Sequence, residues 1–199
     1  GDRCLLIDHA GDIVDGDQII AILADFLKLD SIAVTVMANQ GLLNWADSNH
    51  IHTEITAVGD SNVAAAMREH HIQLGGEQSG HIILPNEPTG DGILTSLIIA
   101  KAIAATQKSL NDLATIFTKS PQVTINLPVS PAQKQALKES ESAKQILLAY
   151  QQKLSTKNGR LLVRPSGTEP LIRITAWGDD ESTIAQIAEE LKTKLGEVL

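Results

Sequence analysis

The feature that most constrains the fold is a change of hydrophobic period that recurs through the first half of the chain. From Asp17 the apolar residues Ile19, Ile20, Leu23, Phe26 and Leu27 follow the i, i+3, i+4 spacing of a helix. Aspartates at its start suit the positive end of a helix dipole. The period then drops to two, with Ile32, Val34 and Val36 alternating through SIAVTVMAN as in a strand. The same exchange continues with a helix near Leu42 to Ser48, a strand in IHTEITAVG, and a helix NVAAAMREH for which Asp60 or Ser61 can serve as cap. A short strand IQL runs into the glycine pair of GGEQSG and returns as HIILP, and TGDG opens a helix that ends near Thr106. Strands separated by helices require crossover connections. The pattern therefore predicts an α/β domain with a mixed, partly parallel sheet and packed helices.

Upstream of this pattern, Cys4 to Asp8 reads as a strand, and a turn-rich DHAGD leads from it into the first helix. There is no initiator Met and the apolar strand starts close to the first residue, so we expect a segment of a longer protein. A second unit begins near Ser120. There SPQVTINLPVSP is extended, AQKQALKESESAKQILLAYQQKL reads as one long polar helix, and GRLLVRPSGTEPLIRITAW supplies two strands. In the last stretch Ile184, Ile187, Ala188, Leu191 and Leu195 share a helical face, with Asp179 and Asp180 as candidate caps. The expectation for this part is a smaller α+β C-terminal domain.

A formal net charge of −8 argues against a general nucleic-acid or anionic-membrane surface, which would select clustered Lys and Arg. Any anion site must then be local. The one cysteine, Cys4, cannot form an internal disulfide and reads as a core residue. No apolar run reaches membrane-spanning length, and a reducing cytoplasm is the default expectation.

RPSGTEP lies between two expected strands and offers a cation, two hydroxyls and a glycine that permits unusual backbone angles. A guanidinium can grip phosphate oxygens with two parallel hydrogen bonds, and hydroxyls and turned backbone N–H groups add more. A polar hairpin turn with an incidental Arg164 has the same composition. GGEQSGH places Glu77, Ser79 and His81 on a glycine-bounded connection, where a carboxylate beside a hydroxyl suits sugar hydroxyls. Its alternative is a plain connection with a solvated Glu, and His81 reads as a packed or orienting residue. Asp8, Asp12, Asp15 and Asp17 lack the bidentate Glu of a calcium loop and serve equally as turns and caps. TGDG can line a site by a helix N-terminus, although capping accounts for Thr89 and Asp91 as well.

In this order and spacing, GDR, GGEQSGH, TGDG and RPSGTEP resemble the α-D-phosphohexomutases over essentially the whole chain, and within them the bacterial phosphoglucosamine mutase branch. The resemblance implies four domains around one cleft. Residues 1–14 would end the second, metal-loop domain; 15–119 would be the third, sugar-binding α/β domain; and 120–199 the fourth, phosphate-binding α+β domain. Glu77 and Ser79 would contact the sugar. Arg164, Ser166, Gly167 and Thr168 would hold the phosphate not being transferred. Asp2 would be the one remaining magnesium ligand of a DGDGDR loop, too few for a hard octahedral cation. No catalytic residue is expected in the chain, because the phosphoserine would lie upstream. Ser61 and Asn62 depart from the VGDRYV pattern of the glucosamine enzymes.

The implied reaction interconverts glucosamine 6-phosphate and glucosamine 1-phosphate through the phosphoserine and glucosamine 1,6-bisphosphate, with Mg2+ as cofactor of the parent enzyme. It would feed the amino-sugar precursors of peptidoglycan. The implied partners are a small phosphosugar and the N-terminal domains of the same protein, without nucleic acid or membrane, and the isolated stretch would be inactive. A sister phosphomannomutase or phosphoglucomutase and a non-catalytic sugar-phosphate binding module are the competing readings.

Overall fold

A computed structural model describes residues 1–156 and 159–199. The chain divides into two compact units, Gly1–Lys119 and Ser120–Leu199. Among the described residues no helix is long and apolar enough to cross a membrane.

The first unit opens with β1 (Leu6–Ile7) and β2 (Ile13–Val14), paired antiparallel. Here the expectation needs correction: the first strand is shorter than Cys4 to Asp8, and DHAGD turns back into a second strand before any helix begins. Asp8 makes that turn by accepting from the N–H groups of Ala10 (2.8 Å) and Asp12 (3.0 Å). α1 (Gly16–Leu27) follows, and Asp15 and Gln18 form a reciprocal capping box at its start.

β3 (Ser31–Thr35), α2 (Gln40–Ser48), β4 (His52–Thr56), α3 (Asp60–His70), β5 (Gly75–Gly76), β6 (Ile82–Ile83), α4 (Gly92–Thr106) and the short α5 (Leu110–Ala114) complete the unit. The sheet order is β4-β3-β5-β6. β3 runs parallel to β4 and β5, and β6 returns antiparallel. The mixed, partly parallel sheet is thus as expected. Ile32 and Val34 join the core formed with α1, α2 and α4, whereas Ala33 packs with Val63 and Met67 of α3. Helices on both faces explain why β3 is buried almost throughout.

Two local readings fail and one element was missed. IQL is not a strand, because the paired residues are the glycines themselves. A Cβ on Gly75 would lie 2.7 Å from Met67 Sδ and from Val63 Cγ1, so α3 packs directly on the bare backbone of β5. Glycine has little strand propensity, and the apolar signal therefore fell on neighbours. Neither Asp60 nor Ser61 caps α3: Gly59 occupies the cap position at φ 128° without a side-chain bond. α5 was not anticipated.

In the second unit β7 (Gln122–Pro128), β8 (Arg160–Pro165) and β9 (Leu171–Trp177) form an antiparallel sheet ordered β7-β9-β8. Ile172, Ile174 and Ala176 of the central strand are fully buried, and they share a core with Ile184, Ile187, Ala188, Leu191 and Leu195 of α8 (Glu181–Val198). Of the two candidate caps it is Asp180 that accepts from Thr183 N–H at 2.7 Å. The single long helix expected between β7 and β8 is two, α6 (Pro131–Glu139) and α7 (Glu141–Ser155). Ser140 breaks it with an extended ψ of 119° and caps α7 through Ala143 N–H at 3.2 Å. Antiparallel strands with helices make this the smaller α+β domain.

Candidate functional site

The loop between β5 and β6 carries the GEQSGH residues. Glu77 N–H donates to His81 O (3.1 Å) and Gly80 N–H to Glu77 O (2.9 Å), with Gly80 at φ 89°. Two further backbone bonds hold the loop from outside, Gly16 N–H to Gln78 O (3.0 Å) and Cys4 N–H to Gly80 O (2.9 Å). Glu77 is half-buried and its Oε1 accepts from Gly59 N–H at 3.1 Å, which joins the sugar-contact candidate to the VGDSNV turn. Ser79 is exposed on the same loop. The structure therefore anchors Glu77 and leaves Ser79 at the surface.

His81 is 4% exposed. Its Nε2 accepts from Gly90 N–H at 3.2 Å, which leaves the proton of the neutral ring on Nδ1, 3.4 Å from Asp2 Oδ2. Asp60 Oδ2 stands 3.8 Å from Nε2. One buried imidazole is thus flanked by two carboxylates from distant parts of the sequence. Gly90 is required for this approach, since a Cβ there would lie 2.7 Å from the ring. A hydrogen bond from its own backbone N–H, and then His81, hold the Asp2 carboxyl below the usual carboxylate range. The rest of TGDG is structural: Asp91 caps α4 through Leu94 N–H at 2.9 Å, and Gly92 N–H donates to Gly1 O at 2.9 Å.

Magnesium does not fit these residues. Asp2 brings one carboxylate, and among the described residues no group of three or more His, Cys, Asp or Glu could hold a metal ion. Three of the four aspartates of DHAGDIVDGD are engaged otherwise. Asp8 and Asp15 close a turn and a cap, Asp17 accepts from Asn39 N–H at 2.8 Å, and Lys119 lies 2.8 Å from Asp15.

In the second unit, the RPSGTEP loop links β8 to β9. Ser166 is 5% exposed; its N–H donates to Leu171 O at 2.9 Å and its Oγ accepts from Glu169 N–H at 3.2 Å. That hydroxyl keeps its own proton to donate. Gly167 and Thr168 are exposed, and among the described residues their N–H groups have no protein acceptor. The expectation of unusual angles at the glycine is corrected: Gly167 is not among the positive-φ residues. A Cβ there would meet nothing within 4 Å, so what glycine contributes is an uncovered backbone.

Arg164 is half-buried on β8, and its register partner on β9 is Arg173. Glu169 forms an ion pair with Arg173. From the neighbouring α6, Lys134 Nζ donates to Ser166 O at 2.7 Å and also to Glu169 O. Three cations and one carboxylate therefore surround this loop in a chain of net charge −8. Sequence reasoning missed Arg173 and Lys134. The signal for Arg173 is the alternation of LIRIT, which sets it on the face opposite the buried Ile172 and Ile174. Nothing in the sequence marks Lys134.

The chain matches two family models, the phosphoglucomutase/phosphomannomutase alpha/beta/alpha domain III over residues 15–120 and the phosphoglucomutase/phosphomannomutase C-terminal domain over residues 125–194. It is 44% identical over 197 residues to the phosphoglucosamine mutase of Renibacterium salmoninarum, covering 96% of this chain and 43% of that protein. It is likewise 40% identical over 204 residues to the phosphoglucosamine mutase of Sinorhizobium medicae, covering 99% of this chain and 44% of the relative. The chain thus spans less than half the length of these curated relatives. In structure it is similar to Aspergillus fumigatus N-acetylphosphoglucosamine mutase in complex with GlcNAc-6P and magnesium (TM-score 0.80, 18% identity, 98% of this chain and 50% of that one). A phosphoglucomutase/phosphomannomutase family protein from Burkholderia thailandensis matches with a TM-score of 0.78 at 18% identity, over all of this chain and 45% of the other.

Proposed function

The chain belongs to the phosphoglucomutase/phosphomannomutase family, and from that premise we propose that it forms the sugar- and phosphate-holding part of a phosphoglucosamine mutase. That enzyme interconverts glucosamine 6-phosphate and glucosamine 1-phosphate through a glucosamine 1,6-bisphosphate. The names of the relatives support the glucosamine substrate. The observation that carries the reading is the pairing of Arg164 with Arg173 beside a loop whose Gly167 and Thr168 N–H groups have no acceptor among the described residues. Two like charges side by side repel, and an anion between them removes that cost.

On this reading Arg164 grips the phosphate with two parallel bonds, and the Ser166 and Thr168 hydroxyls and the Gly167 N–H complete the contacts. The oxygens of Glu77 accept from sugar hydroxyls, and Ser79 adds a further contact. A mutase must hold its substrate in two orientations. A fixed grip for the non-reacting phosphate together with a carboxylate that reads adjacent hydroxyls meets that need. Asp2 and His81 are too few for Mg2+, so we assign the metal and the phosphoseryl chemistry to sequence outside these 199 residues. The reaction belongs to cytoplasmic amino-sugar metabolism leading to peptidoglycan precursors.

Calorimetric titration of glucosamine 6-phosphate, glucose 6-phosphate and mannose 6-phosphate into the chain tests the substrate, with glucosamine 6-phosphate expected to bind best. Co-expression with the N-terminal part of a phosphoglucosamine mutase should restore turnover. Equal use of the glucose or mannose phosphates by that assembly would replace the reading with a sister mutase.

A further inference from the structure

An anion loop faces a problem of its own making, because every N–H it offers is accompanied by a carbonyl that repels the ligand. In the 166–169 turn the N–H groups of Gly167 and Thr168 make no bond among the described residues that would hold their direction. The Ser166 Oγ–Glu169 N–H bond closes the turn, but peptide units left to rotate inside it would lose entropy on binding. α6 supplies the missing constraint. Pro131 opens the helix, and a capping box between Ser130 and Gln133 fixes its first turn through bonds of 2.9 and 3.3 Å. Lys134 stands next in the helix, half-buried, and its ammonium donates to the carbonyls of Ser166 (2.7 Å) and Glu169. Those two carbonyls bracket Gly167 and Thr168.

The consequence follows from peptide geometry. No peptide bond in the described chain is cis, so the Ser166 carbonyl and the Gly167 N–H, which share one planar unit, point in opposite directions. Drawing the carbonyl toward Lys134 turns the Gly167 N–H away from it. The same ammonium covers the partial negative charge of both carbonyls. Two of its three donors are used in this way.

We propose that Lys134 is a positioning residue for the phosphate grip, acting through the Ser166 and Glu169 carbonyls that it gathers rather than by touching the anion. The inference rests on the phosphate-loop reading given above.

The test uses the full 199-residue chain, labelled with 15N and titrated with inorganic phosphate, with the Gly167 and Thr168 amide signals as readout. In wild type both amides should shift. Lys134→Met should weaken the apparent Kd about tenfold, as expected for losing charge-assisted bonds, and should shrink the Gly167 shift at saturation. Lys134→Arg, which keeps two donors for the carbonyls, should recover most of both. An unchanged Kd in Lys134→Met overturns the proposal. So does a weaker Kd with a full Gly167 shift at saturation, which would make Lys134 a direct ligand. If wild-type amides stay still and Arg164→Ala binds phosphate as wild type does, the phosphate reading itself falls. Should Lys134→Met not fold, the 15N signal of the Lys134 ammonium in wild type decides. A slowly exchanging signal before phosphate is added supports the clamp, and one that appears only with phosphate overturns it.

Discussion

Arg164 on β8 and Arg173 on β9 face each other as register partners in an antiparallel ladder, so two guanidinium groups leave the same face of the sheet side by side. Glu169 answers one of them. Arg164→Ala should therefore weaken phosphosugar binding by about 1.5–3 kcal/mol, the loss of a charge-assisted contact. It should leave the unfolding midpoint unchanged or slightly raised, since a like-charge pair is removed. Calorimetric titration with glucosamine 6-phosphate and a thermal melt read the two effects separately.

Gly75→Ala should destabilise the first unit by about 1–3 kcal/mol, the usual cost of overpacking. The added carbon would meet Met67 Sδ and Val63 Cγ1 at 2.7 Å and the Ala33 carbonyl at 2.9 Å, and the last of these is sheet backbone that cannot yield. Urea denaturation followed by circular dichroism gives the difference, and a midpoint equal to wild type would contradict the packing described.

Ser140→Ala should cost about 1 kcal/mol, as for other N-cap losses, by removing the acceptor that α7 uses at Ala143 N–H. The Ser140 N–H still donates to Ala136 O at 2.8 Å, so α6 should keep its end. The effect should therefore appear as lower stability of the second unit with little loss of helical signal. Ser140→Asp, which can cap in the same way, should restore most of it.

Cys4 is 6% exposed, and burial pushes its thiol above the ordinary value. The folded state thus favours the protonated form. Stability from this group is constant at neutral pH and falls as pH rises past the ordinary thiol range, where the unfolded chain ionises first. Ellman's reagent at pH 8 should label Cys4 slowly in the native protein and at once in denaturant. Fast native labelling would show that the thiol is reachable.

Where a segment carried its own periodicity, it was legible in the sequence. α1, β3 and α8 fall where Ile19 to Leu27, Ile32 to Val36 and Ile184 to Leu195 put them, because burial of one face demands that spacing whatever else surrounds it. One boundary that failed is set by partners. β5 is made of two glycines that become a strand only because β3 and β6 pair with them and α3 needs the space. Ser140 interrupts an otherwise helical composition by taking an extended ψ and capping α7, a local preference of serine that the flanking helix formers hid.

The site divides in the same way. Arg164, Ser166, Gly167 and Thr168 are adjacent in sequence, so residue type alone could mark them as donors for an anion, and Glu77 and Ser79 as partners for hydroxyls. Sequence order could not place Arg173 opposite Arg164, Lys134 beneath the Ser166 carbonyl, or Asp2 and Asp60 on either side of His81, because each contact joins residues far apart in the chain. The sequence by itself determined which groups are present and where the strongly periodic helices and strands lie. Only the tertiary structure decided which of those groups share a register, a hydrogen bond or an ion pair, because pairing across a sheet and packing against a helix depend on the whole core closing at once.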